Sequence, residues 1–263
     1  MWWRRLRGRW RATIIAAAAV VIIVAGLSVW ILTAGRQSSE VTEAAALDQV
    51  EGDGLVESPA PGVPAPGVYS YAQAGWERVG AGPLRVRREL PGTARIAVGA
   101  VSPSSFEVTA FLSEEHIEGV RYGVAGGWIR EEWRRTDVTL VGIGRDDRRD
   151  LRPPPRRVPV APEVGQTWRD EYGAGSLPVE VSSRIARADE LEVGGEAVPV
   201  VVIRVESTTG GAHPGTRSET VWWSPERAIP VRWRLEMDVE GVAELTTRTT
   251  LELDDLSPVQ TEQ

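Results

Sequence analysis

His116 and His213 are the only histidines in the chain, and it has no cysteine. His116 stands in Glu114-Glu115-His116-Ile117-Glu118, a grouping that could serve a metal ion or a general base. No second histidine lies at ligand spacing and no thiolate is available, so a solvated surface histidine is the favoured reading. His213, in a His-Pro-Gly turn, has no stronger case. Glu131-Glu132, Asp146-Asp147 and Asp254-Asp255 are adjacent residues, which point to opposite faces of an extended chain and so form no acid/base dyad. There is no Gly-x-Ser-x-Gly elbow, and Val98-Gly99, Gly142-Ile143-Gly144 and Val193-Gly194-Gly195 match no nucleotide fingerprint. The expectation is a protein that is not an enzyme, with no catalytic residues, no metal site and no cofactor.

Tryptophan and arginine carry the remaining signals. Trp128, Trp133, Trp222 and Trp223 are the ligand-binding candidates, as the lining of an aromatic groove for an acyl chain, glycan or peptide. The competing reading has these indoles, with Trp76, Trp168 and Trp233, filling the core of a disulfide-free sheet. Trp222 and Trp223 are neighbours on one strand, so one faces the main core and the other needs separate cover. Arg145, Arg148, Arg149, Arg152, Arg156 and Arg157, with three Asp among them, give a local charge of +3 between residues 144 and 157. They could form a docking strip for an anionic partner such as an envelope polymer or lipid headgroup. A solvated crossing whose charges pair locally is the plainer alternative.

The elements that must position these residues begin with a membrane span. Ala12 to Ala34 is free of charge and would reach about 34 Å as a helix, slightly more than the hydrocarbon core of a bilayer. Arg4, Arg5, Arg7, Arg9 and Arg11 precede it, whereas Arg36 is followed by acidic residues with no further base until Arg78, so the N-terminus stays cytoplasmic. The apolar run is too long, and its outer end too bulky, for a cleaved signal peptide. The chain is thus expected to be a single-pass plasma-membrane protein with an extracytoplasmic C-terminal domain. Its organisation reads as a basic N-terminus (1–11), a transmembrane helix (12–34), an acidic and Pro-rich linker (35–66), a β domain (67–256) and a tail (257–263). Beyond residue 36, 24 Arg face 37 acidic residues, a balance of −13 that argues against nucleic acid as a partner. The expected partners are the bilayer, through 12–34, and a lipid, glycan or envelope protein.

After Gly67 the hydrophobic period becomes two. Phe106, Val108, Ala110 and Leu112 share one face of a strand, as do Val201, Ile203 and Val205. The same holds for Val231, Trp233, Leu235 and Met237, and for Leu245, Thr247, Thr249, Leu251 and Leu253. Gly126-Gly127, Gly194-Gly195, Gly210-Gly211 and Glu240-Gly241 punctuate them, with a tight hairpin over Leu191–Val198. Ala44–Leu47 could make one helical turn, and Ser113–Gly119 is the best remaining helix candidate. The fold expected is mainly β: a transmembrane helix, then an antiparallel, strongly curved meander sheet of about ten strands, half-barrel or two-layer, divided by an exposed Pro-rich crossing near residues 144–162.

The run Thr220-Val221-Trp222-Trp223-Ser224-Pro225-Glu226-Arg227-Ala228-Ile229-Pro230-Val231-Arg232-Trp233 reads as strand, short Pro-containing turn, apolar-Pro, strand. It resembles a hairpin of membrane-anchored β domains of the bacterial envelope and, distantly, of the lipoprotein-localisation-carrier (LolA-like) half-barrel superfamily. In those carriers the concave face cradles acyl chains. The resemblance implies the same architecture here, with a hydrophobic-ligand carrier or accessory as the alternative to a binding or scaffolding domain. The chain departs from the carriers in its anchor and in lacking recognisable helices to plug the concave face.

Overall fold

A computed structural model describes residues 38–48, 60–81, 84–140, 143–211, 214–240 and 244–260. The strands are β1 (Gly67–Ala81), β2 (Leu84–Glu89), β3 (Thr93–Ser102), β4 (Ser105–Ser113), β5 (His116–Ala125), β6 (Trp128–Leu140) and β7 (Ile143–Arg152). They continue as β8 (Arg156–Pro159), β9 (Thr167–Ala174), β10 (Leu177–Val193), β11 (Glu196–Thr209), β12 (Gly215–Ser224), β13 (Ile229–Val239) and β14 (Glu244–Leu253). Twelve of them form one antiparallel ring, closed because β14 pairs with β1 from Tyr71↔Leu253 to Gly80↔Glu244. β2 pairs with the distal half of β1 and β8 with the first residues of β6, both outside the ring. The sheet is therefore a closed barrel, neither half-barrel nor two-layer. Closure joins strands far apart in sequence, and the ring is narrowest in pairing between β7 and β9, where only Leu151↔Ala174 and Arg152↔Gly173 are in register.

The alternating faces fall as their period dictates. Phe106, Ala110 and Leu112 are buried inside, as are Ile203 and Val205, Val231, Leu235 and Met237, and Leu251 and Leu253. Gly194 and Gly195, both at positive φ, turn the β10–β11 hairpin. Gly75 marks a close approach: a Cβ there would lie 2.7 Å from the Thr249 Cα, so only glycine lets β1 run this near β14.

Two expectations are corrected. Residues 143–152 are barrel strand β7, with Asp146, Arg148 and Asp150 exposed and Asp147, Arg149 and Leu151 on the more covered face. Arg135 of β6 clamps Asp146 through Nε and Nη2, each at 2.9 Å, and Arg149 pairs with Asp147. Charges that find partners along their own strand or on the next one do not interrupt a ladder. Only Pro153–Pro155 fall between β7 and β8. The Ser113–Gly119 segment is the β4–β5 turn and the start of β5, not a helix.

One helical turn, α1 (Glu43–Leu47), is capped by Thr42 and lies on the outside of the barrel, where Val41 and Ala46 cover Val68, Ala97 and Phe111. Residues 60–66, read from sequence as a spacer, tuck against one end of the barrel. Val63 is buried among Phe106, Ile129 and Val158, and the Tyr69 hydroxyl donates to the Ala65 carbonyl at 3.0 Å. The segment 12–34 lies outside the described residues, among which no helix is long and apolar enough to cross a membrane.

Candidate functional site: the barrel interior

A vertical run of charged side chains occupies the ring's lower half. It begins with Glu77 of β1, Arg88 of β2 and His116 of β5, all buried. The Arg88 guanidinium donates to Glu77 Oε2 through Nη2 at 2.8 Å and Nε at 3.1 Å, and to the Thr139 carbonyl at 3.0 Å. His116 Nδ1 pairs with Glu77 Oε1. Its Nε2 is 3.6 Å from Glu118 Oε1, within ion-pair reach but too long for a hydrogen bond. Burial alone would push the His116 pKa down, yet Glu77 and then Glu118 override it and raise it to about 10. The surface histidine expected from sequence is thus a fully buried cation.

One rung inward, Glu118 faces Arg217 Nη2 at 3.6 Å, and Arg217 Nε donates to Glu219 Oε1 at 2.8 Å. Glu219 also accepts from Arg157, through Nη1 at 3.2 Å and Nη2 at 2.5 Å, and from the Trp233 indole N–H at 2.8 Å. Arg134 grips Glu131 through Nε at 2.8 Å and Nη2 at 3.0 Å. Burial opposes ionisation of Glu219, but Arg157 and Arg217 hold its carboxyl well below the usual carboxylate range. Glu118 is depressed in the same way, by Arg217 and then His116.

Above this ionic tier the barrel is apolar and not filled. A cavity of about 110 Å³ opens among Tyr69, Val98, Phe106, Ile129, Ile203 and Trp223. Arg134, Arg157, Arg217 and Glu118 line its polar end. On the far side of the same arginines lies a smaller polar void of about 30 Å³, bordered by Glu131, Tyr172, Ser183 and Glu219. The strand registers order these levels. Val120 pairs with Arg134 and Glu118 with Thr136, which puts Arg134, Glu118 and His116 progressively further from the rung of Phe106, Tyr122 and Glu131, towards the end opposite residues 60–66, whereas Glu131 and Arg157 lie level with the apolar rungs of Tyr122 and Ile129. Among the described residues no group of three or more His, Asp and Glu could hold a metal ion; the paired arginines and glutamates can bind and orient charge.

The residues singled out from sequence do not converge. Trp223 lines the cavity. Trp222, on the other face of β12, joins Val200 and Val202 in a buried cluster beneath Arg232, whose guanidinium lies 5.4 Å from its ring. Trp128 meets Trp168 edge-on at 5.2 Å and carries Arg156 at 5.1 Å. Trp133 lies over Gly119 with Arg148 4.2 Å above it. The arginines likewise separate. Arg152 is exposed, Arg148 caps Trp133, Arg156 pairs with Asp170, Arg149 lies opposite Arg134 on the inward face and pairs with Asp147, and Arg157 joins the interior network through Glu219. Arg145 occupies a β7 position opposite Val138. Arg134, Arg217 and Glu219 escaped the sequence reading, and Glu118, Glu131 and Trp233 are named there without being joined to a site. Their one signal is parity, because Arg217, Glu219 and Val221 share a strand face, as do His116, Glu118 and Val120.

No protein-family model matches the chain, and no curated protein matches it. Among solved structures it is distantly similar to the hypothetical lipoprotein YmcC from Escherichia coli, at 11% identity and a TM-score of 0.34, over 73% of this chain and 86% of that one. A likeness this loose transfers no property.

Proposed function

We propose that this chain is a bilayer-anchored, extracytoplasmic binding protein whose closed barrel holds a small apolar or amphipathic molecule and does no chemistry on it. The observation that carries the reading is the interior cavity of about 110 Å³, apolar on its walls and cationic at one end. Sites for drug-sized ligands run to roughly 300–1,000 Å³, so the volume suits one short chain or ring and speaks against a multi-acyl lipid. The described surface exposes only Val164 and Val259 as large apolar side chains. The apolar area available for recognition is therefore internal, which favours ligand binding over docking of a partner on an external apolar patch. The envelope location rests on the charge-free stretch 12–34 and its arginine-rich flank.

Native mass spectrometry of the full chain released from its source membrane, followed by small-molecule extraction, tests this reading. The expected result is a reproducible adduct of small mass, lost when the barrel is unfolded. An unliganded mass in every preparation, with no small amphiphile binding on addition, would overturn it.

A further inference from the structure

Charge is not balanced inside the barrel. The connected interior network contains four glutamates, Glu77, Glu118, Glu131 and Glu219, and five cationic side chains, Arg88, His116, Arg134, Arg157 and Arg217. Beside it, Arg149 pairs with Asp147 and Arg156 with Asp170. His116 counts as a cation because two carboxylates face it, one on each ring nitrogen, and its pKa lies near 10. Within this network one positive charge is thus left over in a region of low dielectric, where an uncompensated ion is costly.

The arginines also keep spare donors, and they border both the apolar cavity and the smaller polar void. Glu118, Glu131 and Glu219 are only 2–5% exposed, whereas Arg134, Arg157 and Arg217 are 12–24% exposed. Their pairings use Nε and Nη2 of Arg134 and Nε and Nη2 of Arg217, so Nη1 of each is free of any hydrogen bond among the described residues. Both side chains line the apolar cavity. A guanidinium edge beside an apolar wall is the recognition chemistry of a carboxylate on a hydrocarbon tail.

We infer that the cavity is a site for a monoanionic amphiphile, its carboxylate received by Arg134 and Arg217 and its short apolar tail lying among Phe106, Val108 and Trp223. This rests on the binding function proposed above and adds the charge class of the ligand. One negative charge cancels the excess; a phosphate monoester, at about −1.5 to −2, would overshoot it.

The test uses the full chain in lipid nanodiscs, with hexanoate, hexan-1-ol, hexylamine and hexyl phosphate as probes. Binding is read by saturation-transfer NMR against empty nanodiscs. Hexanoate should bind about tenfold or more tightly than hexanol, the least that a charge-assisted hydrogen bond contributes, and hexylamine not at all. The charge-conserving double variant Glu131→Gln/Arg134→Gln should remove most of the hexanoate advantage while leaving hexanol unchanged. Val108→Phe, which narrows the apolar part, should weaken both. Hexanol or hexylamine binding as well as hexanoate, or hexyl phosphate binding better, overturns the monocarboxylate assignment while leaving the cavity a binding site. Insensitivity to Val108→Phe places binding elsewhere and refutes it, and no binding of any probe removes the binding function together with the inference.

Discussion

The buried His116 cation makes barrel stability depend on alkaline pH in a direction that can be worked out. In the unfolded chain the imidazole titrates near 6.5, and in the barrel near 10, because burial, which disfavours the cation, is outweighed by Glu77 and Glu118. A pKa raised on folding means the native state binds the proton more tightly. The stabilisation is therefore complete below pH 6.5 and drains away as pH rises towards 10. The groups facing the ring are Glu77 from β1, Arg88 from β2, Glu118 from its own strand and Arg217 from β12, and the two arginines stay charged throughout. One proton is then at stake, and each pH unit within the window removes about 1.4 kcal/mol. Between pH 6.5 and 9 this comes to about 3 kcal/mol, a large share of the stability of an ordinary domain. The tyrosines near the interior do not confuse the measurement. Burial raises Tyr69 and Tyr122 to about 12, and even unfolded tyrosine ionises only near 10. Urea unfolding of residues 38–263 at half-unit steps from pH 6 to 9.5 would read the slope, with His116→Gln as comparison. The variant should start less stable and show a nearly flat profile. A variant that keeps the wild-type slope would refute the buried cation, and with it the charge excess on which the monoanion assignment stands.

Other outcomes follow from single contacts. Gly75→Ala should cost at least about 2 kcal/mol in urea unfolding, because its Cβ collides with the backbone of β14 at the seam that closes the barrel; an unchanged midpoint would contradict that register. Glu219→Leu strands Arg157, leaves Arg217 only its longer contact to Glu118, and should lose about 3–5 kcal/mol by thermal unfolding, far more than the exposed pair partner Glu89→Leu. The depressed Glu118 and Glu219 carboxyls add stability that is present above about pH 4.3 and is lost as pH falls towards their folded values, so an acid transition should weaken in Glu118→Gln. Trp223→Ala should change small-ligand affinity in the NMR assay, whereas Trp133→Ala, on the outer face, should not.

Much of the strand pattern was legible because one face of each strand is wet. Val231, Trp233, Leu235 and Met237 alternate with charged residues, and that pattern has a single reading. Closure was not legible, because the β1–β14 seam pairs residues some 170 positions apart, as Gly75 with Thr249, and an alternating strand looks the same in an open sheet and a ring. β7 reads as solvated loop in sequence because Asp146-Asp147-Arg148-Arg149-Asp150 shows no apolar alternation until Arg135 and Trp133 of β6 are placed against Asp146 and Arg148. The ionic tier was hidden for a related reason. An inward Glu219 or Arg217 carries the same letter as an outward one, and only its parity with Val221 tells them apart.

The size of the ring explains why such residues lie inside. A barrel of about eight strands can be filled by its own aliphatic side chains, but the diameter grows with strand number, and twelve strands leave an interior that valine and leucine cannot span. Two solutions are used at different heights. In the lower half, long side chains reach across and meet: Arg157 of β8 and Trp233 of β13 converge on Glu219 of β12, while Arg217 of β12 reaches towards Glu118 of β5. Each bridge takes two long side chains where two aliphatic ones would fall short, and the desolvation of the ions is offset only because nearly every charge finds an opposite. In the upper half Val, Ile, Phe and Tyr pack into buried clusters that join strands around the ring, yet they leave a gap of about 110 Å³ between them. The cavity is thus what twelve strands leave when bridging stops, and it stops at a layer with one cation more than it can neutralise by itself.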